Sequence, residues 1–369
     1  MIEEGKARIV VKEGVFYNAK AKLSRDIGVA FVYAIAKKMG RKLRICEPLA
    51  ATGIRGIRYM LETDSVEHLT LNDKLKQAYI NIIENVEINS IKPYSDVYNE
   101  DANLILEKHA QKNRRFDFVD IDPFGSPISF VQSGLRSLAH KGYLAIASTD
   151  TAAIYGVAKR ACLRRYSSVS LKNEFMKEIG LRILTAACIR IASMNELALK
   201  PVFAHATMHY VRVYFTMQVS ISKIDPILDQ IGYAEYCERC LWRTTFKRIE
   251  EFSKSCKICG NKTFYAGPLW LGALYEKDII NAMLDFKNSI EASKLLETIN
   301  QEAEMPAFFY TLDSLASKIG VVEPKLVEMI QKLRDNGFLA SRTHLHPKGI
   351  KTNADYHEVI NILKEIRKT

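Results

Sequence analysis

Short apolar runs alternate with amphipathic stretches along most of the first 220 residues. LRICEPL (43–49) has the pattern of a buried strand that stops near Ala50, and GIRGIRYML (53–61) then carries helical spacing. HLTLND (68–73) predicts a second strand. The stretch 75–90 predicts a helix with Leu75, Ala78, Ile82 and Val86 on one face. RFDFVDIDPFG (115–125) is a third apolar strand running into a turn. ISFVQSGLRSLA (128–139) is helical, and GYLAIAST (142–149) is a fourth strand. Strands that alternate with helices predict a parallel sheet covered on both faces. A later β-rich run, HYVRVYFTMQVSI (209–221), alternates Tyr, Val and Phe and is expected to close that sheet.

The character changes around Lys223–Pro226. A cysteine-bearing segment (237–259) follows, then two helical patterns, 311–319 and 324–336, split by Gly320. After them come GFLASRTH and HPKG. Helix, turn, helix and a short β-element outline a winged helix-turn-helix. The expected division is therefore an α/β unit over 1–222 and a smaller α+β unit over 223–369.

Composition narrows the class. Hydrophobic residues make up 48% of the 369 and charged residues 26%, which excludes wholesale disorder. No stretch approaches 18 uncharged apolar residues, so no membrane span is expected. The first residues lack the apolar block of a secretory signal, which points to the cytosol and reduced thiols. Net charge is +11 and uneven: residues 151–220 hold 10 basic side chains against 3 acidic ones. Such a concentrated basic zone suits a polyanionic partner, nucleic acid above all.

Four constellations carry chemistry. Glu47–Gly56 is a strand-to-helix turn with small residues and Gly53, where a backbone can approach an anionic group at a helix N-terminus. It lacks the full G-x-G-x-x-G pattern, so a dinucleotide is not indicated. Asp73 ends the next strand about 20 residues later, the place of a ribose-binding acid, and Asp101-Ala102 follows the next apolar segment, where an adenine edge would lie. Asp122-Pro123-Phe124-Gly125 closes a strand on the same rim. A carboxylate, a free proline carbonyl and an aromatic ring together suit a planar amine: two acceptors for its N–H groups and a face to stack on. The fourth is Cys237-x2-Cys240-x15-Cys256-x2-Cys259, the spacing of a zinc ribbon with four thiolate ligands and no open coordination position. Cys46, Cys162 and Cys188 sit among apolar residues and read as buried thiols. No G-x-S-x-G or H-E-x-x-H occurs, and His205 and His209 lie in a β-rich run and read as structural.

These residues resemble the tRNA guanine-N2 dimethyltransferase family, which modifies position 26. The likeness spans essentially the whole chain. It includes Val15-Phe16-Tyr17-Asn18, Arg25-Asp26, Ala51-Thr52-Gly53-Ile54-Arg55-Gly56, Asn72-Asp73, Asp122-Pro123-Phe124-Gly125, Ala161-Cys162-Leu163-Arg164-Arg165-Tyr166, Gly180–Leu184 and Arg342-Thr343-His344. It departs at Ala19, where the family often has proline. The resemblance implies a class I, Rossmann-like S-adenosylmethionine-dependent methyltransferase domain followed by a family-specific C-terminal domain that helps to hold tRNA. Arg25 and Arg55 would hold the methionine end of the cofactor, Asp73 its ribose, and Asp101 with Ala102 its adenine. Gly53 and Pro123 complete the cofactor-binding set. Asp122 would orient the guanine amine, and Phe16 and Phe124 would sandwich the base. The implied protein is a cytoplasmic monomer with a structural zinc ion. Taken by itself, the Asp-Pro-aromatic order serves adenine and guanine amines alike. An rRNA or DNA amine methyltransferase, or a nucleic-acid binder on a degenerate core, stays open on the residues alone.

Overall fold

The computed structural model of the chain describes residues 1–111, 114–207 and 210–366. A short hairpin, β1 (Ile2–Glu4) and β2 (Ala7–Ile9), leads into α1 (Lys22–Met39). The alternating region then unfolds along the chain as β3 (Leu43–Glu47), α2 (Ile54–Thr63), β4 (Val66–Asn72), α3 (Lys76–Ile88), β5 (Ser95–Tyr98), α4 (Ala102–Gln111), β6 (Phe116–Ile121), α5 (Ile128–Ser137) and β7 (Leu138–Ser148). Three helices follow, α6 (Thr151–Ile154), α7 (Lys159–Tyr166) and α8 (Met176–Ser193), and then β8 (Ala198–Thr207) and β9 (Tyr210–Gln218). These strands make one seven-stranded sheet in the order β5-β4-β3-β6-β7-β9-β8.

The sheet differs from the expected parallel one in one respect. β9 pairs antiparallel with both β7 and β8, so the sheet is mixed. The chain between β8 and β9 is too short for a crossover, and a short connection permits only antiparallel pairing. The closing run at 209–221 therefore supplies one strand, and its partner β8 lies just upstream, in the β-rich segment that holds His205. β5, the apolar segment expected before Asp101, is a short edge strand of four residues. His205, in β8, is fully buried, and burial holds its imidazole well below the usual value, hence neutral. His209 lies outside the described residues.

The parallel strands β3 to β7 end together, at Glu47, Asn72, Tyr98, Ile121 and Ser148, on one rim of the sheet. β9 starts at that rim, with Val211 opposite Ser148.

Beyond residue 222 come α9 (Ile224–Leu228), β10 (Ile231–Tyr236), β11 (Arg243–Phe246), β12 (Phe264–Trp270), α10 (Lys277–Asp285), α11 (Ile290–Glu302), β13 (Tyr310–Thr311), α12 (Leu312–Ile319), α13 (Leu326–Asp335), β14 (Ala340–Thr343), β15 (His346–Thr352) and α14 (Tyr356–Glu365). β10 to β12 form a small antiparallel sheet, and α12, α13 and the β14–β15 hairpin reproduce the helix-turn-helix and wing outline. Gly320 ends α12 at φ 71°, a left-handed position that suits glycine.

This portion packs on both faces of the large sheet. Ile279, Ile280 and Met283 of α10 share a core with Ile27 and Phe31 of α1, and Trp270, Phe309 and Leu363 share the other core with Leu144 and Ile146. A buried ionic seam ties the two portions together. Glu178 on α8 accepts from Lys351 Nζ at 2.9 Å, from Arg182 Nε at 2.9 Å and from the Phe308 N–H at 2.9 Å. Arg182 thus belongs to the interior, in keeping with its apolar helix, and is not a surface cation. Two cations and a backbone donor outweigh burial and pull the Glu178 carboxyl down to about 2.

Candidate active site

The site grows from the ends of β3 to β7. The chain turns out of β3 at Glu47 and enters α2 through Gly53, which sits at φ 74° in the left-handed region. A side chain there would be strained, and glycine leaves the α2 N-terminus without a side-chain cap. Of its first three N–H groups, that of Ile54 contacts Thr52 Oγ1 at 3.4 Å and that of Gly56 donates to Glu47, so among the described residues the Arg55 N–H is the one open to an anionic ligand.

Asp73 fixes this turn to the next one. Its Oδ2 accepts from the Ala51 N–H at 2.9 Å and its Oδ1 from the Leu75 N–H at 2.9 Å. Each oxygen keeps a lone pair for a further donor. Asn72 joins the third strand end, donating to the Pro48 carbonyl at 2.9 Å and to the Glu100 carbonyl at 3.1 Å. Asp101 is exposed with Lys74 Nζ 3.6 Å away, and Ala102 behind it is buried. Gly53, Asp73 and Asp101-Ala102 thus stand on three neighbouring strand ends, as the spacing predicts.

The Asp122-Pro123-Phe124-Gly125 turn leaves β6 on the same rim. It is held by the end of β7: the Gly125 N–H donates to Thr149 Oγ1 at 2.7 Å, and Ser148 Oγ donates to the Gly125 carbonyl at 3.2 Å. Pro123 is buried. Asp122 retains 30% side-chain exposure. Its Oδ2 accepts from Arg55 Nη2 at 2.5 Å and lies 3.4 Å from Arg212 Nη1. Among the described residues no group donates to its Oδ1. The two arginines hold its carboxyl below the usual aspartate value in spite of burial, so it is ionised at neutral pH.

Behind Asp122 lies a charged layer in which Glu47, Arg55 and Asp120 come from the two turn motifs of the sequence, and Arg212 from outside them. Asp120, two residues earlier and on the same side of β6, is fully buried and bound by Arg212 Nη2 and by the Tyr59 hydroxyl, the latter at 2.6 Å. Glu47 accepts from the Gly56 N–H at 3.0 Å. Burial and the nearby Asp120 push its carboxyl up to about 8, so it carries a proton at neutral pH. The layer then balances: Arg55 and Arg212 against Asp120 and Asp122. One weaker signal does exist for Arg212. It is the single charge of the otherwise largely apolar β9, where an unpaired charge is costly.

Two expected contacts take a different form. Arg25 is buried and gripped by Glu4 through both Nε (2.6 Å) and Nη2 (2.5 Å), with a further bond from Nη2 to the Asn18 carbonyl at 3.1 Å. Glu4 arrives on the N-terminal hairpin, which no local pattern places here. Arg25 still lies close enough to lower the Asp122 carboxyl. Phe16 and Phe124 do meet at the rim, 51% and 74% exposed, but edge to face, with ring centroids 4.7 Å apart and planes at 83°. A base between parallel rings needs them about 7 Å apart, two contact distances of ~3.5 Å. One ring must swing away before a base can enter.

The four cysteines of the knuckles converge as their spacing predicts. All four sulfurs lie within 4.8 Å of one another, with Cys237 to Cys259 at 3.6 Å and Cys240 to Cys256 at 3.5 Å. A tetrahedral zinc with Zn–S of about 2.3 Å requires S–S edges near ~3.8 Å. The Asn261 N–H directed at Cys259 pulls that thiol down to about 7, toward the thiolate a metal needs. Cys46, Cys162 and Cys188 are buried thiols. Among the described residues no helix is long and apolar enough to cross a membrane.

Comparison with known proteins identifies the family. The family described as N2,N2-dimethylguanosine tRNA methyltransferase matches residues 1–364. The chain is 37% identical over 373 residues to the tRNA (guanine(26)-N(2))-dimethyltransferase of Methanocaldococcus jannaschii, covering 98% of this chain and 96% of that one. It is 32% identical to the tRNA (guanine(26)-N(2)/guanine(27)-N(2))-dimethyltransferase of Aquifex aeolicus, covering 99% and 96%. The solved structure of Trm1 from Pyrococcus horikoshii with S-adenosyl-L-methionine superposes with a TM-score of 0.86 at 32% identity, over 98% of both chains. With a match of this length, and with the Gly53, Asp73 and Asp122 turns gathered on one rim, the chain belongs to the N2,N2-dimethylguanosine tRNA methyltransferase family.

Proposed function

We infer that the protein transfers methyl groups from S-adenosyl-L-methionine to the exocyclic N2 of guanine 26 in tRNA, giving the N2-methyl and then the N2,N2-dimethyl product. The observation that carries this reading is the full-length family match joined to a partly exposed, ionised Asp122 whose Oδ1 receives no donor among the described residues.

The cradle suits the cofactor. The Arg55 N–H in the first turn of α2 and the Nη1 of Arg55, which makes only a 3.4 Å contact to the Ser24 carbonyl, would take a carboxylate. The spare lone pairs of Asp73 would take ribose hydroxyls, and Asp101 with Ala102 would border the adenine. The bound cofactor supplies an already activated methyl group. What remains for the chain is alignment. Asp122 Oδ1 and the Pro123 carbonyl accept the N2 hydrogens and turn the nitrogen lone pair toward the methyl. The proton released after transfer passes to Asp122 or to water. Phe124 and Phe16 grip the base once it has left the tRNA stack. Asp73→Ala is expected to weaken S-adenosylhomocysteine binding at least ~10-fold, since it removes the ribose acceptor and loosens the turn at Ala51. Calorimetry reads this directly, and an unchanged Kd would remove Asp73 from the site.

The tRNA would lie on α7. Lys159, Arg160 and Arg164 are exposed on this helix and Lys172 just beyond it, and among the described residues none of the four makes an ion pair. Arg165 differs, pairing with Asp150 at 2.7 Å. Tyr166, at the end of α7, hydrogen-bonds Ser148 at 3.1 Å, beside the Asp122 turn. Replacing Lys159, Arg160, Arg164 and Lys172 by alanine should weaken tRNA binding roughly tenfold at low salt. The salt slope should shrink by about one for every phosphate no longer neutralised, with cofactor affinity unchanged. Normal tRNA binding at every salt concentration would move the RNA surface elsewhere, to the C-terminal domain over 223–369. The remaining elements of the reading are a structural zinc ion on the four thiols and a cytoplasmic monomer. Nucleoside mass spectrometry of tRNA incubated with the protein and labelled cofactor tests the reaction. The expected label is in N2-methyl- and N2,N2-dimethylguanosine at position 26, and label elsewhere only would overturn it.

A further inference from the structure

We propose that Arg212 is a positioning residue for methyl transfer: with Asp120 behind it, it holds Asp122 so that one carboxylate oxygen is saturated and the other is presented to the amine. The inference rests on the role given to Asp122 above. Arg212 sits in β9 between Val211 and Val213, with no side-chain exposure. A guanidinium buried in a sheet is costly unless its donors are used. Its Nε donates to the Tyr214 hydroxyl at 2.9 Å, and its Nη2 binds Asp120 Oδ1. Its Nη1 has no hydrogen-bond partner of its own and stands 3.4 Å from Asp122 Oδ2. Asp120 is anchored in turn by Tyr59, so the arginine cannot swing toward solvent. The arrangement reads as a chain: Tyr59, Asp120, Arg212, Asp122, Arg55.

Its consequence is directional. Arg55 reaches Asp122 Oδ2 from α2 and Arg212 faces the same oxygen from β9. Both pull on one oxygen, which fixes the carboxylate rotamer and turns Oδ1 outward. A second consequence concerns charge. The titratable and charged groups around Asp122 are Arg55 on α2, Arg212 on β9, Arg25 on α1, Asp120 on its own strand and Glu47 at the end of β3, the last protonated near neutral pH. Arg212 is one of the two main cations that keep Asp122 ionised. Its loss should let the carboxyl titrate at higher pH.

Arg212→Met alone would strand the Asp120 charge in the interior and could unfold the sheet. The test therefore uses the pair variant Asp120→Asn/Arg212→Met, in which no buried charge is left alone, and Arg212→Lys, which keeps the charge. Methyl transfer to tRNA is measured against pH, beside S-adenosylhomocysteine calorimetry and thermal melting. The pair variant is expected to melt near wild type, bind S-adenosylhomocysteine within about threefold of it and turn over at least ~10-fold more slowly. Its activity should fall on acidification at a pH at least about half a unit higher. Arg212→Lys should return the acid limb toward that of wild type. A pair variant with wild-type turnover would make Arg212 only the counter-ion of Asp120 and overturn the proposal. So would slower turnover with an unmoved acid limb, which indicates packing alone. If neither variant folds, the pair is a structural element of the sheet and the assignment falls. Asp122→Asn, assayed in parallel, separates the two levels: wild-type turnover there would refute the role of Asp122 itself.

Discussion

Replacing Asp122 with alanine is expected to slow methyl transfer about 10²–10³-fold while leaving affinity for S-adenosylhomocysteine within about threefold of wild type. The loss follows from geometry. In the proposed mechanism Asp122 Oδ1 is the charged acceptor that fixes the N2 lone pair, and the Pro123 carbonyl alone would not replace it. The proposed cofactor cradle shares Arg55 with Asp122, but Gly53 and Asp73 are held by other groups, so it should survive. The aspartate-to-asparagine change is more diagnostic. Arg55 and Arg212 would draw the amide oxygen toward themselves, because both are donors. The amide NH2 would then face the substrate N–H groups, donor against donor. Asp122→Asn should therefore transfer methyl no faster than Asp122→Ala, although it is nearly isosteric. An asparagine variant close to wild type in kcat would show that Asp122 does not receive the amine.

The second large effect is expected at the cysteine cluster. Protein purified without chelator should carry one zinc per chain by elemental analysis. Replacing Cys237, Cys240, Cys256 and Cys259 together by serine should cost several kcal/mol of stability and lower the melting midpoint by roughly 10 °C. The ion would close the two knuckles between β10 and β12, a region with little apolar core of its own beyond Trp242. The damage should also spread. The Tyr356 hydroxyl at the start of α14 donates to the Cys240 carbonyl at 2.8 Å, so the winged portion leans on the knuckle. A protein free of zinc, whose four-serine variant melts with wild type, would show that the thiols stand without a metal.

Much of this site is legible in the sequence because its parts are local. A strand end, a glycine turn and a helix start occupy about ten consecutive residues. Gly53, Asp73, Asp101 and Asp122 can thus be placed on one rim once the strands are recognised. The cysteine knuckles are local in the same sense, since each C-x2-C loop presents two thiols whatever surrounds it. The basic zone is visible as a count, but its division is not. Arg182 turns inward to Glu178 and Arg165 pairs at the surface with Asp150, while Lys159, Arg160 and Arg164 make no ion pair among the described residues.

The sequence by itself determined the rim, its chemistry of carboxylate, proline carbonyl and aromatic ring, and the knuckle that follows. The tertiary structure alone decided how those groups are charged and aimed. Arg212 reaches Asp120 and Asp122 across some ninety positions of sequence, and it does so because β9 runs antiparallel beside β7 and brings its first residues to the rim. Glu4 takes Arg25 because the N-terminal hairpin folds back onto α1 and α2. The edge-to-face contact of Phe16 with Phe124 likewise joins segments more than a hundred residues apart. Periodicity reports which face of an element is buried, but not which distant charge will meet it there. The pairing of buried charges is settled only when packing removes water from all of them at once.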